Sequence, residues 1–232
     1  MPLCIYAVVP SSSRRLASRG SRGEPLSLVR AGRLAAVVGV TTRAPRPGTR
    51  TLRDYHRAIE GLSDEFDALL PVRFGTIVRD EEEIRLVLHH RQAALRAALV
   101  RVRRRVQMTL RFVAAPDPSA EEASLRDAAL RERASGSAYL RSRAAVQRLR
   151  EGGAERTAIT RAVRRYVRAE RVDRRGDVIS VYHLLPRSAV GPYLRALRAA
   201  AATAGNTLVT FTVTGPFPPF AFAEPLASPS AP

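Results

Sequence analysis

The side chains best suited to metal or nucleophilic chemistry are four histidines and one cysteine, and their spacing serves neither. His89 and His90 are adjacent, so on a helix they point about 100° apart and cannot share a metal. None of His56, His89, His90 and His183 has the spacing of a metal site. Cys4 lies in an apolar run with no histidine close in sequence, the setting of a core thiol. Ser11 to Ser13 belong to a polar loop. Gly152-Gly153 falls between helical runs with no strand before it, so it is not a phosphate-binding loop. These absences predict a chain that is not an enzyme and needs no cofactor or metal.

Charge is the next feature. The formal net charge is +18, and all 39 basic residues are arginine. An arginine-only set points to a compositional habit before it points to nucleic acid. Many of these arginines stand near acids, as Arg85 does after Glu81 to Glu83, and as Arg126, Arg131 and Arg133 do among Glu121, Glu122 and Glu132. That is the pattern of solvated, paired helix faces. Aromatics for base stacking are sparse, with six tyrosines, seven phenylalanines and no tryptophan, and they fall mostly in apolar runs. A nucleic-acid partner is therefore not expected. The alternative is an arginine-rich nucleic-acid-binding module using Arg101 to Arg105 and Arg161 to Arg175. No run approaches the ~20 apolar residues of a membrane span, and Met1 to Val9 is too short for a signal peptide, so no membrane and a cytosolic setting are expected.

The elements that must carry these residues read as α+β. Leu3 to Val9 is a buried strand, and Leu26 to Arg30 with Arg33 to Val40 form a hairpin. Tyr55, Ile59, Leu62, Phe66 and Leu69 are spaced for a helix from Leu52 that ends before Pro71. Leu69 to Val78 then reads as a strand with Val72 and Phe74 on one face and Arg73 on the other, and Gly75 allows a bulge. An arginine so placed is solvated or paired with a carboxylate. Asp80 and Glu83 cap a single helix whose apolar stripe of Ile84, Val87, Leu88, Leu95, Leu99 and Val102 runs to about Arg105. Val106 to Phe112 alternates as a strand with one wet face. A helical stretch from Pro118 to about Val167 follows, then a hairpin of Ala169 to Asp173 with Val178 to Leu185. A helix from Tyr193 to Ala204 and a strand from Leu208 to Val213 complete the order βαββαβ from Val106 on, which is ferredoxin-like. The expected division is an N-terminal α+β domain over residues 1–104, a ferredoxin-like domain over 105–226, and a frayed tail over 227–232.

The chain closes on Gly215-Pro216-Phe217-Pro218-Pro219-Phe220-Ala221-Phe222, which is too apolar for a loose end. Its prolines predict an extended, polyproline-like course with Phe217 and Phe220 on one side. The reading taken is a clasp folded onto the chain's own surface, with a partner-binding arm as the alternative.

Three stretches then carry a resemblance. Leu70-Pro71-Val72-Arg73-Phe74-Gly75-Thr76, Gly136-Ser137-Ala138-Tyr139-Leu140-Arg141-Ser142-Arg143, and the closing motif together resemble the gas vesicle protein F/L family across nearly the whole chain. His56 matches a histidine typical of that family. The family's closing pattern is Gly-Pro-Trp-Pro-Pro-Tyr-Ser-Phe, so Phe217, Phe220 and Ala221 keep the aromatic bulk and lose the hydrogen-bonding groups. The resemblance implies a non-enzymatic assembly or minor structural protein located at gas vesicles. Its partners would be the major shell protein and other accessory proteins. The residues it implies as structural or partner-binding are His56, Pro71, Arg73, Phe74, Gly75, Tyr139, Leu140, Arg143, Gly215, Pro216, Phe217, Pro218, Pro219, Phe220 and Phe222.

Overall fold

The structure, a computed structural model, describes residues 1–43, 45–114, 153–203, 209–223 and Leu226. By contact the chain falls into two compact units, Met1–Gln107 with Pro216–Pro232, and Met108–Gly215. It is a mixed α+β protein built on antiparallel sheets. The segment from Pro216 groups with the N-terminal unit, whereas the expected second domain carried it through residue 226.

In the N-terminal unit the central strand is β1 (Leu3–Pro10), buried from Leu3 to Val9. β2 (Leu26–Ala31) and β3 (Leu34–Val40) form a hairpin, and β3 pairs antiparallel with β1. The other edge of β1 takes two short strands, β4 (Leu70–Pro71) and β5 (Ile77–Val78). The expected single strand from Leu69 to Val78 is therefore broken. Gly75 at φ +78 and a bond from the Thr76 N–H to the Arg73 carbonyl (3.2 Å) close a tight turn in its middle, a backbone conformation that suits glycine.

Both faces of β1 are covered. Helix α1 (Thr49–Glu65) supplies Tyr55, Ala58, Ile59 and Leu62 to a cluster with Cys4, Tyr6, Val9, Ala35, Val37 and Leu69. α2 (Glu81–His90) and α3 (Gln92–Val102) pack against β1 to β3 and bury Ile84, Leu88, Leu95, Leu99 and Val102.

Two expectations for these helices are corrected. α1 ends at Glu65, not at Leu70: Phe66 turns to an extended backbone after its N–H bonds the Leu62 carbonyl, which frees Leu69 to enter the core from the connecting loop. The single helix expected after Asp80 is two, separated at Arg91, whose ψ of 13 leaves the helical range. The apolar stripe survives because only one residue departs from the helix. The cap reads as expected, with Asp80 Oδ1 accepting from the Glu83 N–H at 2.9 Å. After α3 the chain reverses at Arg104, which holds φ 54 while its N–H bonds the Asp67 carbonyl and its Nε bonds the Asp67 carboxylate at 3.0 Å.

The C-terminal unit contains a sheet ordered β7-β8-β6-β9, from β6 (Arg105–Ala114), β7 (Ala169–Arg175), β8 (Val178–Pro186) and β9 (Val209–Phe217). α4 (Gly153–Val163) precedes β7, and α5 (Val190–Thr203) lies between β8 and β9. The wet face expected of β6 is not wet throughout: Gln107 and Thr109 are buried and Arg111 is exposed. β9 runs four residues beyond its expected end at Val213, into the closing motif. It is an end strand of its sheet, the position where a proline such as Pro216, which lacks an N–H, is tolerated. The expected helix from Pro118 to Gly152 and the tail 227–232 lie outside the described residues.

Candidate functional site

Two adjacent residues of α1 hold the two described family-like motifs in place. Tyr55 is 4% exposed, and its ring stacks on Tyr6 at 5.2 Å between centroids and meets the edge of Phe74 at 5.3 Å. Its hydroxyl donates to the Val72 carbonyl, and the Val72 N–H donates to the Tyr6 carbonyl at 2.9 Å. The turn from Arg73 to Thr76 is thus fixed at its root by buried bonds. Burial, then the neighbouring Cys4 and Tyr6, push the Tyr55 hydroxyl well above its ordinary pKa, so it stays a donor. Phe74 is half-buried on the core, and Arg73 is exposed. The arrangement that would force a buried ion pair on Arg73, a strand covered on both faces, is not present.

His56 follows Tyr55 by about 100° of helix rotation and faces the chain's closing segment. Its imidazole stacks on Phe220 at 5.2 Å and 18°, meets Phe217 edge-on at 5.4 Å, and brings Nε2 to 3.3 Å from Glu60 Oε1. Both phenylalanines are half-buried, while Pro218, Pro219 and Phe222 are buried.

The backbone route differs from the expected polyproline course. Gly215 takes φ +119, open only to glycine, and β9 continues through Phe217. Pro219 at φ −78, ψ 57 then forms an inverse γ-turn, with the Phe220 N–H on the Pro218 carbonyl at 2.8 Å. A single 3-10 turn, Phe220–Phe222, follows and packs beside Leu70–Pro71. Phe217 and Phe220 reach the same imidazole by this reversal and not by a threefold repeat. Three polar contacts complete the seat: the Ala221 N–H on Gln107 Oε1 at 2.7 Å, Arg101 Nη2 on the Phe222 carbonyl at 3.2 Å, and the Ala223 N–H on the Pro219 carbonyl at 3.1 Å.

The structure therefore brings His56, Phe217, Phe220 and Phe222 together beside Pro71, and sets Phe74 and Gly75 on the Tyr55 side. Tyr139, Leu140 and Arg143 lie outside the described residues. Tyr55, Glu60, Arg101 and Gln107 contribute here without being among the candidate site residues marked in the sequence. A tyrosine at a core position of α1 was the available signal for the first; the others act through positions that no local pattern marks.

Three further polar groups are held within the fold. Cys4 is a free, buried thiol, pushed up to about 11 by burial and by the Glu24 charge against the pull of Arg22, and so unreactive. Burial raises the Glu65 carboxyl, but bonds from Ser18 and Ala17 and the nearby Arg14 outweigh it and hold the pKa below the ordinary value. In the C-terminal unit His183 is fully buried, with Nδ1 2.8 Å from the Tyr193 hydroxyl and Nε2 3.0 Å from Glu170. A neutral ring donating from Nε2 and accepting at Nδ1 satisfies both partners. Among the described residues no group of three or more His, Cys, Asp or Glu side chains could hold a metal ion, and no helix is long and apolar enough to cross a membrane.

The profile of the family described as gas vesicle synthesis protein GvpL/GvpF matches residues 3–224. The chain belongs to the GvpL/GvpF family. It is 28% identical, over an alignment of 233 positions, to gas vesicle protein L of Streptomyces sp. (strain CB03234), covering 89% of this chain and 86% of that protein. Its fold is similar to the crystal structure of GvpF from Microcystis aeruginosa, with a TM-score of 0.75 at 13% identity over 96% of this chain and 99% of that one. GvpF from Anabaena sp. PCC7120 gives the same TM-score of 0.75 at 14% identity, covering 96% of each chain. Gas vesicle association and gas vesicle protein partners follow from the family at that level.

Proposed function

We propose that this GvpL/GvpF-family chain is a non-enzymatic accessory or minor structural protein of gas vesicles that binds the major shell protein during assembly. The single observation that carries this reading is the family match over residues 3–224. Apolar side chains left exposed on the N-terminal unit, Leu52, Leu86 and Val100, are the kind of surface a hydrophobic shell protein would cover. The order βαββαβ with the sheet β7-β8-β6-β9 supports a ferredoxin-like reading of the C-terminal unit. In this proposal the closing motif is a clasp on its own N-terminal unit, a reading supported by the packing of Phe217 and Phe220 on His56, and not a free arm.

The test is capture of purified shell protein by the full-length chain at about 0.1 M and about 0.5 M salt. Apolar contact should survive the higher salt, whereas phosphate binding would fall by orders of magnitude. Retention at both salts is the expected outcome. Failure to retain shell protein at either salt, with steeply salt-dependent binding of arbitrary duplex DNA, would replace this reading by the nucleic-acid one.

A further inference from the structure

The arginine run from Arg161 to Arg175 is left unused by the reading above, and it lies wholly within the C-terminal unit. The end of α4, the 3-10 turn Arg164–Tyr166 and the start of β7 line a groove of about 480 Å³ with Thr157, Thr160, Arg161, Arg164, Arg168 and Glu170. Arg161, Arg164 and Arg168 are exposed. β7 beside it is the end strand of its sheet, and among the described residues its outer edge has no strand partner. Val172 in its middle is 45% exposed. The register with β8 sets Glu170, Val172 and Arg174 on the face of His183, Val181 and Ile179, and Arg171, Asp173 and Arg175 on the opposite face. Positive charge is crowded here: burial first, and then the Arg174 charge, hold the Arg156 guanidinium below its ordinary pKa.

We propose that the open edge of β7 and the adjoining arginine groove form a docking site for an extended acidic polypeptide, which adds to the sheet as a further strand. An open edge presents backbone N–H and C=O groups in alternation, and a peptide backbone pairs with them while its side chains project to both faces. Carboxylates on such a strand meet arginines on the groove side at Arg161, Arg164 and Arg168, and reach Arg174 along the edge.

Three features favour a polypeptide over a nucleic acid. A phosphodiester backbone cannot complete the row of edge hydrogen bonds. Glu170 and Asp173 sit inside the run, and a peptide can leave the positions facing them uncharged where a regular phosphate backbone cannot. Tyr166, the aromatic of the run, already carries the Arg165 guanidinium 4.8 Å from its ring centroid and offers little open face for base stacking.

The experiment uses the full-length chain and a short labelled peptide alternating glutamate and valine, followed by fluorescence anisotropy. Binding should weaken with salt, and Arg161→Glu with Arg164→Glu should lower affinity about tenfold or more, with the melting curve unchanged. The same peptide N-methylated at alternate backbone nitrogens keeps its charge and should lose about as much affinity on the wild-type chain. This arm needs no variant to fold. Equal binding of the methylated and parent peptides, or no binding of the parent, would overturn the proposal. A single-stranded oligonucleotide that binds more tightly and displaces the peptide through the same arginines would also overturn it, in favour of nucleic acid.

Discussion

The turn after Pro71 and the segment from Pro216 are both seated on α1, through neighbouring side chains, but by different chemistry. Tyr55 fixes the turn with a buried ring and a hydroxyl on the Val72 carbonyl. His56 meets the closing segment through half-buried rings, helped by single polar contacts from Gln107 and Arg101. The first seat cannot open without leaving buried polar groups unpaired, which costs about 1–3 kcal/mol for each group on top of the lost packing. The second can open at the cost of apolar burial alone, with its polar groups passing to water. Regions held by fewer buried polar bonds open at lower cost, so the closing segment is expected to open before the turn.

The largest effect tests the rigid seat. Tyr55→Ala removes a fully packed ring and orphans the Val72 carbonyl, and should lower stability by about 3–5 kcal/mol in chemical denaturation. A loss under about 1 kcal/mol would remove the contrast. The double change Phe217→Ala, Phe220→Ala should cost less, about 2–3 kcal/mol, because both rings keep part of their surface in water. If the free protein melts as wild type and only shell-protein capture fails, the segment is a partner arm and not a clasp.

His183 is buried and its pKa is lowered, chiefly by burial, against the raising influence of Glu170. Since the unfolded chain then binds protons more readily, stability should be constant above the ordinary histidine pKa of about 6.5 and fall as the pH drops below it toward the lower folded value. The melting temperature should decline between neutral pH and about 5.5 in wild type and less in His183→Gln, before carboxylates begin to titrate. Equal declines in the two proteins would show that His183 does not titrate in this way. The smallest effect is at Arg73, exposed on its turn, where Arg73→Ala should change stability by less than about 0.5 kcal/mol. A larger loss would mean that its guanidinium is paired within the fold.

Much of the fold was legible because its signals are local. The β1 run, both hairpins, the Asp80 cap and the α3 stripe follow from alternation, turn residues and helical spacing. The misreadings occur where a distant contact overrides a local pattern. Leu69 fits the α1 periodicity, yet it enters the same core from a loop once Phe66 turns extended. Gln107 alternates as a wet residue, yet it is buried with its carbonyl oxygen taken by the Ala221 N–H, far along the chain. The closing prolines dictate stiffness but not direction, and the γ-turn at Pro219 comes from seating Phe220 on His56. His56 itself was marked by family resemblance alone, since a lone histidine on a helix has no readable partner when that partner is a phenylalanine more than a hundred residues away.

The most direct test of the α1 seat is backbone hydrogen exchange, resolved by residue, in wild type and in His56→Ala. The Phe220, Phe222 and Ala223 N–H groups, bonded within the closing turn, should be protected in wild type and lose protection in the variant, while the Val72 N–H on the Tyr6 carbonyl keeps its protection in both. Unchanged protection of the closing turn in His56→Ala, or equal loss at Val72, would contradict the account that adjacent residues of α1 hold the two motifs independently.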